Sequence, residues 1–430
     1  MYVDGRVPGM ELGSPIPEPN LRAEKDEEHS PTVFHGNPPG AWANTTTRDE
    51  PIQNIRWGIA GLGRIAHEFA VALHVYGASI QAVAAGSLPR KKARSVVFAD
   101  QFGVDQHHAY DSYEKLVQDP DVDIIYIATT NNLHHKVALL AISHGKHVLV
   151  EKPTAMNARE VEEMTEAAMK KGVFFASNYW NSAFPAVRFA REAVRQGKIG
   201  EIIQVTGDMG FQAVTNYQDR WLSAELGGGS LMDMGCYLLH FLVMMTNEQK
   251  GVNASAKISI DNAVGRLDPN TKVDVDTSYT AQYNGVVGRF GTSIIRASPF
   301  TVQIMGTQGM ITIESPANCP TEASLVAFWD ASRTSFMPYP CCVQPLAESR
   351  DFSEDLPPYP RQFFPQQYPR GTGFVYIIEA VTECLRAGCK ELPDVPQSTA
   401  LKIQQAVDAI RSKLHTDSNV LVGGNIRAQN

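Results

Sequence analysis

The sequence predicts a doubly wound α/β domain with a parallel sheet, then an α+β domain with a large, mostly antiparallel open sheet. From residue 54 to about 178, short apolar runs alternate with helical patterns, the rhythm of strands joined by right-handed crossover helices. After about residue 201, β-like runs follow one another with turns between them and no helix, as antiparallel pairing requires. At 430 residues the chain is also too long for one ordinary domain.

Taken in order, residues 1–50 ("SPIPEPNLRAEKDEEHSPT" among them) combine Pro, Gly, Glu and Asp with little periodicity. They cannot bury enough apolar surface to offset their ordering entropy and read as a flexible extension. "NIRWGIA" is a strand and "RIAHEFAVALHVYG" a helix by its apolar spacing. "SIQAVAAG" is the second strand, with a helix across "RKKARSVVFADQFG". "DIIYIATT" is apolar almost throughout, as a strand covered on both faces should be. The helix "HHKVALLAISHG", the strand "HVLVEKP", a helix over 157–171 and the strand "VFFASNYW" complete a unit spanning 51–178.

The second unit, 179–430, opens on "EIIQVTGDMGF" (201–211) and a helix at about 229–245. The runs "AKISI", "DTSYTAQY", "VGRFGTSIIRA", "FTVQIMG" and "MITIES" follow. Residues 335–370, rich in Pro, Tyr and Phe, read as a long packed irregular loop. Amphipathic helices at about 373–388 and 396–413 close the chain and pack back on the core.

A net charge of −8 and a pI near 5.9 exclude nucleic acid and anionic membrane as the main partner. The longest apolar run, "YLLHFLVMM", is interrupted by His240 and reads as a buried helix rather than a membrane span. The N-terminus lacks the apolar core of a secretory signal. Six cysteines show neither CxxC pairs nor His partners at metal spacing. They read as reduced thiols of a cytoplasmic protein without a bound metal.

In "GLGRIA", Gly61 and Gly63 stand at the spacing of the dinucleotide fingerprint, with Ala66 at the third small position. Alone, this is also what a plain strand-to-helix turn looks like. Its place at the first strand–helix junction makes it a phosphate loop of the Rossmann type, with the helix beginning near Arg64 offering free N–H groups. The loop residues are Gly61, Leu62, Gly63, Arg64 and Ile65. An NAD site would carry an acidic residue at the end of the second strand. The chain reads "VAAGSLPRKKA" there, and Ser87, Arg90, Lys91 and Lys92 suit a 2′-phosphate. NADP is expected ahead of NAD.

"GKHVLVEKPTAMNARE" (145–160), "ATTNNLHHKVALLA" (128–141), "GKIGEI" (197–202) and "GTQGMITI" (306–313) together resemble the Gfo/Idh/MocA oxidoreductases, from about residue 54 to 413. The Glu151-Lys152-Pro153 triplet is the most specific of these motifs. "LGGGSLMDMGCYLLHF" (226–241) is most similar to the dimeric dihydrodiol dehydrogenase and NADP-dependent D-xylose 1-dehydrogenase branch. "NYWNSAFPAV" (178–187) parallels that branch but departs at Asn178 and Asn181.

The resemblance implies hydride transfer between a nicotinamide and a sugar or cyclic diol, with Lys152 and Tyr237 catalytic. A free phenol titrates near pH 10, and the ammonium of Lys152 is expected to lower it, making Tyr237 an acid/base. Asp233, one turn before Tyr237, binds substrate hydroxyls or caps the helix. Asn178, Trp180 and Arg220 complete the implied substrate site. Thr129, Asn131, Asn132, His134, Glu151 and Lys152 join the cofactor site. The expected assembly is a homodimer through the C-terminal sheet. Two alternatives stay open: a non-catalytic NADP-binding regulator of the same fold, and a dehydrogenase of a specialised metabolite.

Overall fold

The computed structural model describes residues 54–86, 91–213, 220–253, 255–328 and 346–415. The extension expected over 1–50 lies outside them, as do Ser87, Arg90 and residues 335–345.

The first sheet holds β1 (Arg56–Ala60), β2 (Ser79–Ala84), β3 (Ala109–Tyr110), β4 (Ile124–Ile127), β5 (His147–Glu151) and β6 (Phe175–Asn178). Their spatial order is β3-β2-β1-β4-β5-β6, and every pair is parallel. The crossovers are α1 (Arg64–Tyr76), α2 (Lys91–Phe102), α3 (Tyr113–Gln118), α4 (Asn131–Ser143) and α5 (Ala158–Lys171). Ile124 through Ile127 and Val148 through Val150 are fully buried, so helices cover both faces and the strands need no polar alternation. The order reverses between β1 and β4, the crevice where open α/β sheets receive ligands.

After α6 (Pro185–Arg195) come β7 (Ile202–Gly210), a π-helical turn (Leu231–Gly235) and α7 (Cys236–Lys250). The strands β8 (Ser259–Leu267), β9 (Asp274–Tyr283), β10 (Val286–Ser293), β11 (Thr301–Gly306), β12 (Gly309–Ile313), β13 (Glu322–Phe328) and β14 (Leu346–Ser353) follow. They build a sheet of order β14-β13-β12-β11-β7-β10-β9-β8. Its pairs are antiparallel except β7 with β10, which are joined by a long connection through α7, as a parallel pair needs. Asn284 and Gly285 between β9 and β10 both have positive φ, 48° and 82°, the backbone of a two-residue hairpin. Helices α8 (Phe374–Arg386) and α9 (Gln397–Leu414) return to pack on α1, α5 and β6.

The irregular loop expected over 335–370 is corrected in part, because residues 346–353 form the edge strand β14. "LAESRDFS" has no run of β-branched or aromatic residues; its pairing with β13 is a tertiary effect. The helix expected at about 229–245 begins as the wider π turn and runs on to Lys250, where Gly251 (φ 77°) ends it.

Beyond β14 the chain crosses the first sheet's helices and is fastened to a buried carboxyl. Glu68, fully buried on α1, accepts at Oε1 from the Tyr359 hydroxyl (3.2 Å), the Tyr368 main-chain N–H (3.2 Å) and the Gln367 N–H. Gly371 passes so close that a Cβ there would stand 2.1 Å from Glu68 Oε2. Glu68→Ala strands two backbone donors and should cost about 3 kcal/mol. A thermal midpoint several degrees below wild type checks this, with cofactor affinity unchanged.

Candidate active site

The turn after β1 is shaped by its glycines. Gly61 has φ 89°, and a Cβ on it would sit 2.7 Å from the carbonyl oxygen of Ala128 at the end of β4. A side chain here would clash with that strand end and strain the backbone. A Cβ on Gly63 would meet nothing within 4 Å, so its outer side is open to a ligand. Gly63 begins α1 without a side-chain cap, and the first turn holds no acidic residue. Its leading N–H groups and positive dipole end suit a pyrophosphate. Leu62 and Ile65 are half-buried against the core, and Arg64 is exposed. These residues fit a dinucleotide.

At the end of β2, a Cβ on Gly86 would come within 2.4 Å of the Tyr113 ring, so no acidic side chain fits there. Lys91 opens α2 exposed to solvent. Lys92, read from the sequence as a phosphate ligand, instead donates to the carbonyls of Ala109 and Gln106. Arg94, missed in the sequence, donates to the Leu62 carbonyl at 3.3 Å and so stands beside the glycine loop. Its signal was available: it lies three residues after Lys91, on the same helix face.

The catalytic candidates come from opposite ends of the chain's folding units. Lys152 follows β5, Asp233 lies in the π turn, and Tyr237 is in the first turn of α7. Asp274 of β9 holds the π turn in place, its Oδ2 accepting from the Leu231 N–H (2.7 Å) and the Ser230 hydroxyl (2.8 Å). A Cβ on Gly229 (φ 118°) would fall 2.3 Å from the same carboxyl. Such π turns recur at functional sites. This one offers the Asp233 carbonyl to Lys152 Nζ at 2.9 Å, while Asp233 Oδ1 accepts from the same ammonium at 3.0 Å. Nζ also lies 4.9 Å from the Tyr237 ring centroid. Amine and phenol therefore share one pocket.

Asp233 Oδ2 accepts from Trp221 Nε1 at 3.0 Å, and Arg220 Nη2 lies 3.4 Å from Oδ1. Burial would raise this carboxyl, but the Lys152 and Arg220 cations more than offset it and hold it well below the usual range. With its oxygens so engaged, Asp233 orients Lys152 rather than presenting itself to a substrate hydroxyl. That corrects the preferred sequence reading, which could not see Lys152 or Trp221 arriving. Arg220 keeps an exposed guanidinium at the same edge.

Tyr237 is corrected as well. It is 3% exposed, its hydroxyl accepts from Trp180 Nε1 at 2.9 Å, and burial pushes it well above the ordinary phenol value. Lys152 directs its charge at Asp233 and does not lower the phenol in this state. Tyr237 holds its proton.

Two expected substrate residues point elsewhere. Asn178 is fully buried and donates to Glu151 Oε1 at 2.6 Å. Trp180, 2% exposed, stacks on Phe374 with centroids 4.0 Å apart and grips the Tyr237 hydroxyl. Both brace catalytic groups from behind. Glu151 also accepts from the Tyr126 hydroxyl (2.6 Å) and the Lys152 N–H (3.2 Å), and burial pushes its carboxyl up.

Among the expected cofactor residues, His134 is fully buried with its ring nitrogens on the carbonyls of Pro153 (2.9 Å) and Thr129 (3.3 Å). Burial lowers it to about 4, so it is a neutral brace between α4 and the turn after β5. Asn131 donates to the Gly227 carbonyl at 2.9 Å and ties the two units together. Thr129 and Asn132 stay half-open at the end of β4, where Asn132 Oδ1 accepts from Thr130 Oγ1.

A dinucleotide-type crevice with a Lys–Asp–Tyr cluster at its rim defines an NAD(P)-dependent oxidoreductase. Residues 55–179 match the oxidoreductase family with an NAD-binding Rossmann fold, and residues 187–312 match the GFO/IDH/MocA C-terminal domain. The chain belongs to this family. It is 34% identical to the bovine (Bos taurus) trans-1,2-dihydrobenzene-1,2-diol dehydrogenase over 364 residues, 84% of this chain and 97% of that one. The Homo sapiens protein of that name is 32% identical over the same shares. The fold is also that of a 3-ketoreductase from Actinomadura kijaniata in complex with NADP and TDP-benzene. That match has a TM-score of 0.67 and 21% identity, over 84% of this chain and 98% of the other. A levoglucosan dehydrogenase in complex with NADH and levoglucosan gives 0.67 and 21%, covering 84% and 97%.

Proposed function

We propose that this protein interconverts a hydroxyl and a carbonyl on a sugar or cyclic trans-diol, using NADP in preference to NAD. The single observation that carries the reading is Lys152 Nζ, held by Asp233, at 4.9 Å from the Tyr237 ring. The relatives' names supply the substrate class, and Lys91 and Arg94 beside an acid-free strand end support NADP.

The bound nicotinamide supplies a hydride acceptor or donor. The turn 61–65 and the open first turn of α1 would hold its pyrophosphate. Lys152 has three N–H donors; with two on Asp233, the third remains for the substrate oxygen. Tyr237 gives its proton to that oxygen during reduction and takes it back during oxidation. Because burial favours the protonated phenol, reduction proceeds at neutral pH and oxidation quickens as pH rises. We place the enzyme in the cytoplasm, consistent with its four described cysteines being free thiols. Among the described residues, no helix is long and apolar enough to cross a membrane.

We further propose a homodimer through the open face of the second sheet. Helices α6, α7 and α9 pack against this sheet, and Ile203 of β7 stays 50% exposed. Sedimentation at two concentrations checks it. For the activity, the purified chain is assayed with each cofactor against trans-cyclohexane-1,2-diol, D-xylose and other aldoses and polyols. Turnover with kcat/KM at least about tenfold higher for NADP is expected, the difference one well-made phosphate contact supplies. No turnover of any polyol, aldose or diol sinks the reading.

A further inference from the structure

Helix α8 ends in a turn that sets two cysteines face to face. Gly388, with φ 74°, takes the left-handed conformation, and its N–H donates to the Leu385 carbonyl at 3.2 Å. The next N–H, that of Cys389, donates back to the Cys384 carbonyl at 2.9 Å. These two bonds make the Schellman ending of a helix, in which the side chains three residues before the cap and two after it meet. Here both are cysteine, and their thiols hydrogen-bond to each other. A carbonyl oxygen lies about 2.4 Å from its own Cα and an amide nitrogen about 1.5 Å from its own. The 2.9 Å bond therefore keeps the two Cα atoms within about 7 Å, a separation that a disulfide spans. Both sulfurs belong to free thiols.

The pair is half-buried rather than sealed. A Cβ on Gly388 would meet nothing within 4 Å, and residues 386–388 are exposed, so a small solute reaches the turn. Burial raises the Cys384 thiol, and the Cys389 sulfur and the carboxylates of Asp394 and Glu383 raise it further. Cys384 therefore keeps its proton at rest, and Cys389 is the sulfur that attacks first. Cys236 and Cys319 are different: each is buried, donating to the Met232 carbonyl (3.5 Å) and to Asn318 Oδ1 (3.8 Å). Just past the pair the chain is tied to the first sheet. The Phe175 N–H of β6 donates to the Lys390 carbonyl at 3.0 Å, and Lys390 Nζ donates to the Gly172 carbonyl at 2.6 Å. Helix and sheet thus hold the turn from both sides, and closing an S–S bond moves neither.

We propose that Cys384 and Cys389 form a reversible redox site, closing to a disulfide on reaction with a small disulfide of the glutathione kind. The Cys389 thiolate attacks one sulfur of glutathione disulfide; a protein–glutathione S–S bond forms, the original one breaks, and glutathione leaves as a thiolate. Cys384 then gives up its proton and displaces the second glutathione. Two protein thiols lose two electrons, one glutathione disulfide gains them, and the two protons end on the two glutathione thiols released. With the sulfurs already in contact, the second step is intramolecular and outruns escape of the adduct. A reducing glutathione pool returns the pair to thiols.

The test uses the full chain, as wild type and as Cys384→Ser, held in glutathione disulfide and then alkylated in denaturant. The readout is covalent, so no outcome depends on turnover. Trypsin cuts after Arg386, between the two cysteines, and a disulfide joins the peptide ending "TECLR" to "AGCK". In the wild type this joined product should dominate, two hydrogens lighter than its separate peptides, and dithiothreitol should restore both thiols. Cys384→Ser has no second sulfur in the turn and should stop at the glutathione adduct on Cys389, with at least about tenfold more of it than in the wild type. The oxidised wild type should also melt a few degrees above the reduced one, because the bond restricts the unfolded chain. A wild type whose two thiols stay open to alkylation, or that keeps a stable glutathione adduct on either cysteine, overturns the proposal. So does pairing of either one with Cys341 or Cys342, or an oxidised chain that melts no higher than the reduced.

Discussion

Lys152→Met should reduce kcat about a thousandfold or more while leaving NADP affinity within a small factor of wild type. In the reaction proposed above the ammonium is the donor that meets the developing charge on the substrate oxygen; it is held by two contacts to Asp233 at 2.9 and 3.0 Å. Methionine fills the volume but cannot donate. It also leaves the Asp233 carboxylate 6% exposed with only Trp221 and the more distant Arg220 as partners. An uncompensated buried charge costs about 3 kcal/mol. Asp233 is held below its ordinary value in the folded protein. The stabilisation from the pair is therefore fully present above the unfolded carboxyl value of about 3.9 and is lost as pH falls through the lower folded value. The gap in thermal midpoint between wild type and variant should be widest near neutrality and close in acid. A variant retaining wild-type kcat would remove Lys152 from the chemistry; a gap constant with pH would remove the ion pair from the stability argument.

Tyr237→Phe should lower kcat by about 10² to 10⁴, with KM for substrate and cofactor little changed. Only the hydroxyl is lost, so ring packing on α7 persists, and Trp180 Nε1 is left without its partner at a cost of about 1–3 kcal/mol. The pH profile gives the sharper test. Burial keeps the phenol protonated well past its usual range, so wild-type oxidation should climb by about tenfold per pH unit up to the alkaline limit of the assay. The residual rate of the variant should be flat across the same interval. A parallel slope in both proteins would assign the titration to another group.

Much of this was legible in the residues. The spacing of Gly61 and Gly63 marked the candidate phosphate turn, where the end of β4 excludes a Cβ at Gly61 and the outer side of Gly63 is open. The acid-free end of β2 was legible for a similar reason. What misled was the assignment of polar and aromatic side chains to ligands. Asn178, Asp233 and His134 are types that bind substrates and cofactors, but here each also meets a partner within the fold: Asn178 donates to Glu151, Asp233 accepts from Lys152 and Trp221, and the His134 ring lies against two carbonyls. Type and position along an element do not reveal which partner arrives from elsewhere. Glu68 shows the same limit, since a glutamate on the fifth residue of an amphipathic helix looks solvent-facing until the strap closes over it.

By itself the sequence determined the order of strands and helices and the turn suited to a dinucleotide, and its resemblance to a known family pointed to the lysine and the tyrosine. Local patterns suffice for the first two, because periodicity and backbone freedom act over a few residues. The tertiary structure alone decided that Lys152 would be paired to an aspartate 81 positions away, and that Tyr237 would keep its proton. It alone fastened Tyr368 to a carboxyl 300 positions distant. Desolvation and the identity of a hydrogen-bond partner depend on what packs around a group, and that is set by contacts between segments far apart in the chain.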